Sequence, residues 1–297
     1  MKILISDKVA DKAIEGIKNL GHNVTVKTGM SPEELKSIIQ DYECIIVRSA
    51  TKVREPIIDS ASNLKLIIRG GVGLDNIDVE YAKSKGIEVK NTPAASSISV
   101  AELAFGHMLA AARHIARGTE TLKNGKWDKK ALKGIELYKK TLGIIGFGRI
   151  GRELAKRALA FDMNVIAYDP FVKETDMNVN LTDLNNLLKE SDYISLHLPH
   201  TDDTHHLISK EQFEMMKDGV IFVDCARGGI VNEVALYNAL KDGKLYGAAL
   251  DVFEKEPPES SPLFEFANFN CTPHIGATTV EGQGRVGEEI IKILKNY

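Results

Sequence analysis

The sequence predicts an α/β protein built from doubly wound parallel sheets, and three features of the chain support this. Short runs that are apolar at consecutive positions, such as IIV at 45–47 and IIGF at 144–147, recur along the whole chain. Such runs suit strands buried on both faces, as in parallel sheets covered by helices. Amphipathic segments separate the runs, and one run leads directly into a glycine-rich turn and another such segment. Repeated strand–helix units of this kind indicate the doubly wound class.

The apolar runs define the predicted strands in chain order. They are Ile3–Ser6, Val24–Lys27, Cys44–Arg48, Leu66–Ile68, Ile87–Lys90, Thr141–Ile145, Val165–Tyr168, Tyr193–His197, Val220–Asp224 and Gly247–Val252. Helix starts are marked by a capping box with proline at Ser31–Glu34 and by cap residues at Ser209 and Asn232. The longest helical pattern covers Ser99–Leu122 and is nearly all apolar in its first half. We expect one continuous helix there, bridging two domains and covered on most sides.

Length and composition narrow the class of protein further. The chain has 297 residues, which favours two domains at roughly 150 residues each. A net charge of −3 gives no indication of a nucleic-acid or membrane partner. The apolar start of the chain is too short for a signal peptide, and no stretch is long enough to span a bilayer. The three cysteines lie far apart and fit no metal-ligand spacing, so a cytoplasmic location and no bound metal are expected.

The most specific local motif is the glycine pattern that follows the run Thr141–Ile145. It reads Gly146, Phe147, Gly148, Arg149, Ile150, Gly151 and opens an amphipathic segment. In a dinucleotide-binding turn the first glycine permits the tight turn, the second lets the backbone approach a pyrophosphate, and the third allows close helix–strand packing. Asp169 ends the next strand, near the spacing expected for a ribose-binding acid. Because a carboxylate repels a 2′-phosphate, the motif predicts NAD rather than NADP as the cofactor.

Other motifs, together with this one, resemble the D-2-hydroxyacid dehydrogenase family. They are SVAEL at 99–103, GFGRIGRELA at 146–155, YDP at 168–170, DCARGG at 224–229, LDVFEKEPP at 250–258 and TPHIG at 272–276. Within the family, VRSATKV at 47–53, RGGVGLDNID at 69–78 and GKW at 125–127 resemble the phosphoglycerate dehydrogenases in particular. The implied reaction is NAD-dependent oxidation of D-3-phosphoglycerate to 3-phosphohydroxypyruvate, at the entry to serine synthesis.

The resemblance implies a domain organisation that local patterns do not reveal. A discontinuous, flavodoxin-like substrate-binding domain would comprise residues 1–96 and 275–297, and a Rossmann NAD-binding domain would comprise residues 97–274. Relatives dimerise through their cofactor domains, so a homodimer or homotetramer is expected. Many relatives in serine synthesis continue into C-terminal regulatory domains, and because the sequence ends at Tyr297 we expect that regulation to be absent.

The family's catalytic pattern of an arginine, a glutamate and a histidine matches Arg227, Glu256 and His274 in this sequence. The resemblance implies that His274 is the general base, since imidazole titrates near working pH. It also implies that Glu256 orients the imidazole and that Arg227 binds the substrate carboxylate and polarises the carbonyl. Further implied cofactor contacts are Pro199, Thr204, Cys225, Ala226, Asp251, which would hold the nicotinamide, and Gly276.

Substrate contacts are predicted at the ends of two early strands. Arg48 and Arg69 follow apolar runs, and open α/β sheets bind ligands at the carboxyl ends of their strands. Two arginines suit a phosphate-bearing acid, although structural surface ion pairs remain an alternative interpretation. The resemblance adds Ser49, and the turn at Gly71 and Val72 could offer backbone amides to a carboxylate.

Two other functions remain open at this point. A glyoxylate or hydroxypyruvate reductase, or another dehydrogenase of D-2-hydroxyacids, would share the same catalytic residues. An NADH-sensing binding module is an alternative of a different class, because corepressors that resemble this family keep much of its site. The two arginines favour the phosphorylated substrate over a small uncharged one.

Overall fold

The computed structural model describes residues 1–297. Its strands are β1 Lys2–Ile5, β2 Asn23–Val26, β3 Cys44–Val47, β4 Leu66–Arg69, β5 Glu88–Asn91, β6 Thr141–Ile145, β7 Asn164–Tyr168, β8 Asn180–Leu181, β9 Tyr193–Leu196, β10 Val220–Asp224, β11 Leu245–Leu250 and β12 Phe269–Cys271. Its helices are α1 Asp11–Asn19, α2 Pro32–Ile38, α3 Glu55–Asp59, α4 Val79–Ser84, α5 Ser97–Arg113, α6 Ile115–Lys123, α7 Arg149–Ala160, α8 Leu184–Glu190, α9 Lys210–Met215, α10 Glu233–Lys241 and α11 Val280–Asn296. None of these helices combines the length and the apolarity needed to cross a bilayer.

Backbone packing divides the chain into two compact units. The first unit comprises Met1–Ser97 together with Ala277–Tyr297, and the second unit comprises Ile98–Gly276. Each unit is built on its own parallel sheet.

The first unit contains a five-stranded sheet in the order β2-β1-β3-β4-β5. All its strand pairs are parallel, and the order is that of flavodoxin-like proteins. One apolar cluster covers each face of the sheet, which explains why β3 is apolar at every position. The C-terminal helix α11 packs against α1, so closely that a Cβ added at Gly287 would lie 2.6 Å from the Cβ of Ala13.

The second unit contains a seven-stranded parallel sheet in the order β12-β11-β10-β9-β6-β7-β8. The chain begins this sheet in the middle, at β6, builds outward through β7 and β8, and then returns to the other side of β6 with β9. Six of its strands therefore follow the Rossmann order, with β12 added at the edge. The predicted α/β class with two doubly wound parallel sheets is confirmed.

The predicted strands agree with the structure, and each predicted run overlaps one of the observed strands. The predicted caps are also present: Ser31 and Glu34 form the reciprocal capping box, and the side chain of Asn232 accepts from the amide of Ala235 at 2.9 Å. The sequence analysis missed β8 and β12. They are two and three residues long, and such short segments carry too little pattern to be recognised.

The single helix predicted for residues 99–122 is wrong, because α5 ends at Arg113 and α6 begins at Ile115. His114 between them has φ = 52°, in the left-handed region. In a continuous helix the carbonyl of Ala112 would accept a hydrogen bond from the amide four residues later. Here that carbonyl accepts from the amide of Ile135 at 2.9 Å, and the ring of His114 bonds the hydroxyl of Tyr246 at 2.9 Å. Tertiary hydrogen bonds thus interrupt a segment that is helical by pattern.

Candidate active site

The residues predicted from the second unit lie at one edge of its sheet. They follow the carboxyl ends of β6, β7, β9, β10 and β11, or occupy the segment after β12. Since all strands of this sheet are parallel, their carboxyl ends share one edge. Ligands of open α/β sheets bind at that edge, near the point where the strand order reverses, which here is between β6 and β9.

Each of the three glycines in the turn after β6 is required, or permitted, for a different structural reason. Gly146 has φ = 95°, and a Cβ there would lie only 2.5 Å from the carbonyl oxygen of His197. A Cβ at Gly151 would overlap the carbonyl oxygen of Gly146, so α7 approaches the turn as closely as a glycine allows. At Gly148 an added Cβ would meet nothing within 4 Å. The open side of the turn is therefore at Gly148, where a pyrophosphate would approach the backbone.

Helix α7 begins directly after this turn and carries no side-chain cap at its N-terminus. The backbone amides of Arg149 and Ile150 in its first turn, together with the positive end of the helix dipole, are suited to an anion. Asp169 follows β7 and accepts from the amide of Phe147 at 2.9 Å, which fixes its carboxylate beside the glycine turn. Its other oxygen accepts from the amide of Phe171 at 2.9 Å. The residues present therefore fit a dinucleotide with free ribose hydroxyls.

The loop after β9 is closed by its own side chains. The hydroxyl of Thr204 donates to the carbonyl of Pro199 at 2.7 Å and accepts from the amide of Thr201 at 2.8 Å. Three histidines of this loop contact one another: His200 bonds His205 at 3.0 Å, and the rings of His205 and His206 stack at 3.9 Å. Thr204 and Pro199 thus have fixed positions on the edge that also carries the glycine turn.

His274 and Glu256 form a hydrogen-bonded pair, with 2.7 Å between the Nδ1 and Oε2 atoms. The amide of Phe253 donates to the other oxygen of Glu256 at 3.1 Å, which orients the carboxylate. The hydrogen bond to Glu256 raises the pKa of His274 above its ordinary value, against the opposing effect of burial. Burial tends to raise the pKa of Glu256, but the bond and the charge of His274 lower it overall. The arrangement is that of an imidazole whose protonated form is stabilised by a carboxylate.

Arg227 follows β10 and donates from Nη1 to the carbonyl of Ala226 at 2.7 Å. The next residue, Gly228, lies against the backbone of Phe253, whose carbonyl oxygen a Cβ at Gly228 would overlap. The segments that carry Arg227 and Glu256 are therefore in contact. In agreement with this, the charge of Arg227 contributes to lowering the pKa of Glu256.

Behind Arg227 the chain is buried. Cys225 and Ala226 are each 5% exposed, and burial raises the pKa of the Cys225 thiol well above its ordinary value. Such a thiol stays protonated, which argues against a nucleophilic role. Asp224 is 1% exposed and accepts from the amide of Ala226 at 2.7 Å, while burial raises its pKa to about 7. Sequence analysis did not identify Asp224, because its chemistry depends on burial that the motif does not reveal.

The carboxylate of Asp251 accepts three hydrogen bonds within the protein. One carboxylate oxygen accepts from the hydroxyl of Thr272 at 2.6 Å and from the amide of Ile275 at 2.8 Å. The other accepts from the amide of Gly276 at 2.8 Å. Thr272 is bonded in turn to Nε2 of His107 at 3.0 Å. Sequence analysis missed His107, because a lone histidine inside the apolar segment of α5 carries no functional signal.

In the first unit, the side chains of Arg48 and Arg69 both lie against one turn. A Cβ at Gly70 would lie 3.3 Å from Cγ of Arg48, and a Cβ at Gly71 would overlap the guanidinium of Arg69. Arg48 is held by a bond from its amide to Asp7 at 2.6 Å, and its guanidinium bonds the carbonyl oxygen of Lys8 at 3.3 Å.

Two further predicted substrate residues flank these arginines at the carboxyl edge of the sheet. Ser49 follows β3 and is exposed, and Val72 follows Gly71 and is half-buried.

Comparison with known proteins identifies the family. The sequence profile described as D-isomer specific 2-hydroxyacid dehydrogenase, NAD binding domain, matches residues 105–276. The chain is 54% identical to hydroxypyruvate reductase from Thermotoga maritima, over 99% of this chain and 97% of that protein. It is 52% identical to D-3-phosphoglycerate dehydrogenase from Methanocaldococcus jannaschii, over 99% of this chain but only 58% of that protein. Among solved structures, D-lactate dehydrogenase from Aquifex aeolicus, complexed with NAD and lactic acid, superposes with a TM-score of 0.86 and 35% identity, covering 99% of this chain and 94% of that one.

This chain belongs to the D-2-hydroxyacid dehydrogenase family. It is an NAD-dependent dehydrogenase, as the resemblance of its motifs predicted. The two relatives named from sequence differ in substrate, so membership of the family leaves the particular hydroxyacid to be assigned from the site.

Proposed function

We propose that this enzyme interconverts D-3-phosphoglycerate and 3-phosphohydroxypyruvate, the first step of serine biosynthesis. The observation that carries this proposal is the position of Arg48 and Arg69, whose side chains both lie against the turn at Gly70 and Gly71. Two guanidinium groups at the carboxyl edge of a parallel sheet suit a phosphate dianion. A substrate without the phosphate offers no such dianion to the two arginines.

The substrate carboxylate is bound by Arg227, whose planar guanidinium can engage both carboxylate oxygens. The same cation stabilises negative charge on the oxygen that changes between hydroxyl and carbonyl. The contact between Gly228 and the backbone of Phe253 keeps this arginine close to Glu256 and so to the acid–base pair.

The proton is handled by His274. Because its Nδ1 lies 2.7 Å from the Glu256 carboxylate, Nδ1 carries a proton in the neutral ring and Nε2 is the nitrogen available to substrate. In the oxidation direction Nε2 accepts the hydroxyl proton, and Glu256 stabilises the imidazolium that results. In the reduction direction the imidazolium returns that proton to the carbonyl oxygen.

When bound, NAD would supply the hydride acceptor for the carbon that bears the hydroxyl. Gly146, Gly148, Gly151 and the first amides of α7 would hold its pyrophosphate, and Asp169 would bind its ribose hydroxyls. The same proposal assigns further cofactor contacts to Pro199, Thr204, Cys225, Ala226, Asp251 and Gly276. For Asp251 that role must be compatible with the three bonds it already accepts from Thr272, Ile275 and Gly276.

The test is oxidation of NADH, followed by absorbance, with phosphohydroxypyruvate, hydroxypyruvate, glyoxylate and pyruvate. The phosphorylated substrate should give the highest kcat/KM. Arg48→Ala should reduce that value far more for phosphohydroxypyruvate than for hydroxypyruvate. Lys52→Ala is the matched control, because it removes one positive charge from an exposed position of the same loop. An equal loss for both substrates in Arg48→Ala would assign Arg48 a structural role and remove the basis of the proposal.

A second candidate function is reduction of hydroxypyruvate or glyoxylate. It is favoured by the 54% identity to the Thermotoga maritima hydroxypyruvate reductase, which this chain matches over nearly its whole length. In that case hydroxypyruvate should exceed phosphohydroxypyruvate in kcat/KM. A protein that binds NADH but turns over none of the four acids would instead be a binding module that senses the cofactor.

We also propose that the enzyme is a cytoplasmic homodimer or homotetramer. Four apolar or aromatic side chains of the second unit, Ile115, Leu122, Trp127 and Tyr138, expose more than half of their surface and lie within 24 residues of one another in sequence. Exposed apolar side chains concentrated in one segment of the chain favour an interface with another subunit. Light scattering at micromolar concentration should give at least twice the chain mass of 32.7 kDa, and a monomeric mass would contradict the proposal.

A further inference from the structure

A chain of hydrogen bonds connects the interior of α5 to the segment that carries His274. It starts at His107, which is 6% exposed in an otherwise apolar stretch of the helix. Its Nε2 lies 3.0 Å from the hydroxyl of Thr272, and that hydroxyl donates to Asp251 at 2.6 Å. A threonine hydroxyl has one proton, so a hydroxyl that donates to Asp251 must accept from His107. Nε2 of His107 therefore carries a proton, and burial lowers the pKa of His107 despite the charge of Asp251, which favours the neutral ring.

Asp251 accepts hydrogen bonds from three consecutive backbone amides. Its carbonyl oxygen accepts from the amide of His274 at 2.8 Å, and its carboxylate accepts from the amides of Ile275 and Gly276, each at 2.8 Å. At 1% exposure the carboxylate has almost no contact with solvent. The buried side chain of Asp251 thus holds the amides of Ile275 and Gly276, its backbone carbonyl holds that of His274, and Thr272 and His107 hold the side chain from the other side.

The backbone of His274 needs such support. Its φ of 51° lies in the left-handed region, which is unfavourable for a residue with a Cβ and persists only where surrounding contacts enforce it. The side chain of His274 must also meet Glu256, which stands 18 residues earlier on a separate segment. A turn that relaxed toward an ordinary backbone conformation would move the imidazole away from its carboxylate.

We propose that His107 and Thr272 are positioning residues for catalysis, acting through Asp251 to hold the turn at 274–276 so that His274 stays bonded to Glu256. The proposal rests on the acid–base role of His274 in the proposed function and adds two residues to it. Neither residue needs to touch substrate or cofactor. The charged groups that act on His274 itself are Glu256, Asp251, Arg227 and Asp224, and neither His107 nor Thr272 is among them.

The test compares variants that remove a hydrogen bond with variants that keep it. His107→Met fills the space without a donor, whereas His107→Gln retains an N–H donor. Thr272→Val removes the hydroxyl, whereas Thr272→Ser retains it. Loss of one buried hydrogen bond should lower kcat by roughly fivefold in His107→Met and in Thr272→Val, with KM for NADH little changed. His107→Gln and Thr272→Ser should keep a kcat close to that of wild type. The double variant His107→Met/Thr272→Val should have a kcat no lower than that of the less active single variant, because both changes break the same chain of hydrogen bonds.

A readout independent of turnover is the titration of the His274 imidazole by NMR in the full chain, with its signal assigned by its loss in His274→Ala. In His107→Met and Thr272→Val this pKa should fall toward the ordinary value for histidine, because contact with Glu256 loosens. Met108→Ala is the control, since it opens a cavity at the neighbouring fully buried position of α5 and has no bond to Thr272. It should lower Tm and leave the titration of His274 unchanged.

Two results would overturn the proposal. One is a wild-type titration of His274 in both His107→Met and Thr272→Val. The other is a shift of the same size in Met108→Ala, which would make the effect one of general loosening. Failure of the proposed function looks different, because there wild-type enzyme would prefer another acid or none, while the titrations do not depend on the substrate. If His107→Met does not fold, Thr272→Val and Thr272→Ser carry the same comparison.

Discussion

The pairing of His274 with Glu256 makes a specific prediction for the pH dependence of Glu256→Gln. The glutamine amide oxygen can still accept from Nδ1, so the ring keeps its orientation. It carries no charge, however, and no longer favours the imidazolium. Because the pKa of His274 is raised by Glu256, the variant should hold the proton of His274 less tightly, and its apparent pKa in the reduction direction should fall.

The magnitude follows from the geometry of the pair. A hydrogen bond to a charged group contributes about 1.5–3 kcal/mol. The side chains of His274 and Glu256 are 46% and 37% exposed, so solvent screens the pair and the lower end of that range applies. About 1.4 kcal/mol corresponds to a factor of ten in the protonation equilibrium. At a pH above the pKa of His274, kcat/KM for reduction should therefore fall roughly tenfold, whereas below the pKa of both forms it should change little.

The assay is the pH profile of kcat/KM for reduction by NADH, with whichever acid of the panel is turned over best. Glu254→Gln is the matched control, because Glu254 stands two residues away and bonds His206 at 3.0 Å rather than His274. Its profile should keep the wild-type shape. If the profile of Glu256→Gln differs from wild type only by a constant factor at every pH, Glu256 does not set the protonation of His274, and the acid–base assignment must be redrawn.

Three further predictions follow from single features of the site. Asp169→Ser should erode the preference for NAD over NADP, and equal use of both cofactors by the wild type would contradict the assignment of Asp169. His274→Ala should lower kcat by roughly 10²–10⁴ while NADH binding measured by fluorescence stays nearly intact; a parallel loss of binding would indicate a structural role. Gly71→Ala should raise KM for phosphohydroxypyruvate more than for hydroxypyruvate, because a Cβ at that position displaces the guanidinium of Arg69. Equal changes in KM for the two acids would show that Arg69 does not recognise the phosphate.

Local pattern was sufficient for the elements that are buried on both faces. A strand such as β10 is apolar at four consecutive positions because helices cover both sides of its sheet, and this leaves a signal in the sequence. The break at His114 left no such signal, because it arises from two contacts that are distant in sequence. The amide of Ile135 bonds the carbonyl of Ala112, and the hydroxyl of Tyr246 bonds the ring of His114. The local pattern also did not predict the strand order of the two sheets, because it identifies strands but not which strands pair with each other.

The candidate site divides in the same way. Gly146, Gly148 and Gly151 stand at a spacing dictated by backbone geometry, so the motif itself predicts the function proposed for them. The pairing of Glu256 with His274 was implied by family resemblance, because 17 residues separate the two and no periodicity links them. His107 could not be predicted by either route. Its significance depends on one hydroxyl, that of Thr272, which the fold brings within 3.0 Å across 165 residues of sequence.

The family match does not identify the substrate, because the part of the chain that matches is not the part that carries the proposed phosphate-binding residues. The family profile matches residues 105–276, which lie within the second unit. That unit carries Arg227, Glu256 and His274, whose proposed chemistry is the same for any D-2-hydroxyacid. The groups that would distinguish a phosphorylated acid from a small one, Arg48 and Arg69, belong to the first unit, outside the matched range. Assignment to the family is therefore insensitive to the substrate, and relatives of nearly equal identity can act on different acids. It follows that exchanging residues of the first unit alone should change which acid is preferred, while the acid–base pH dependence set by the second unit should persist.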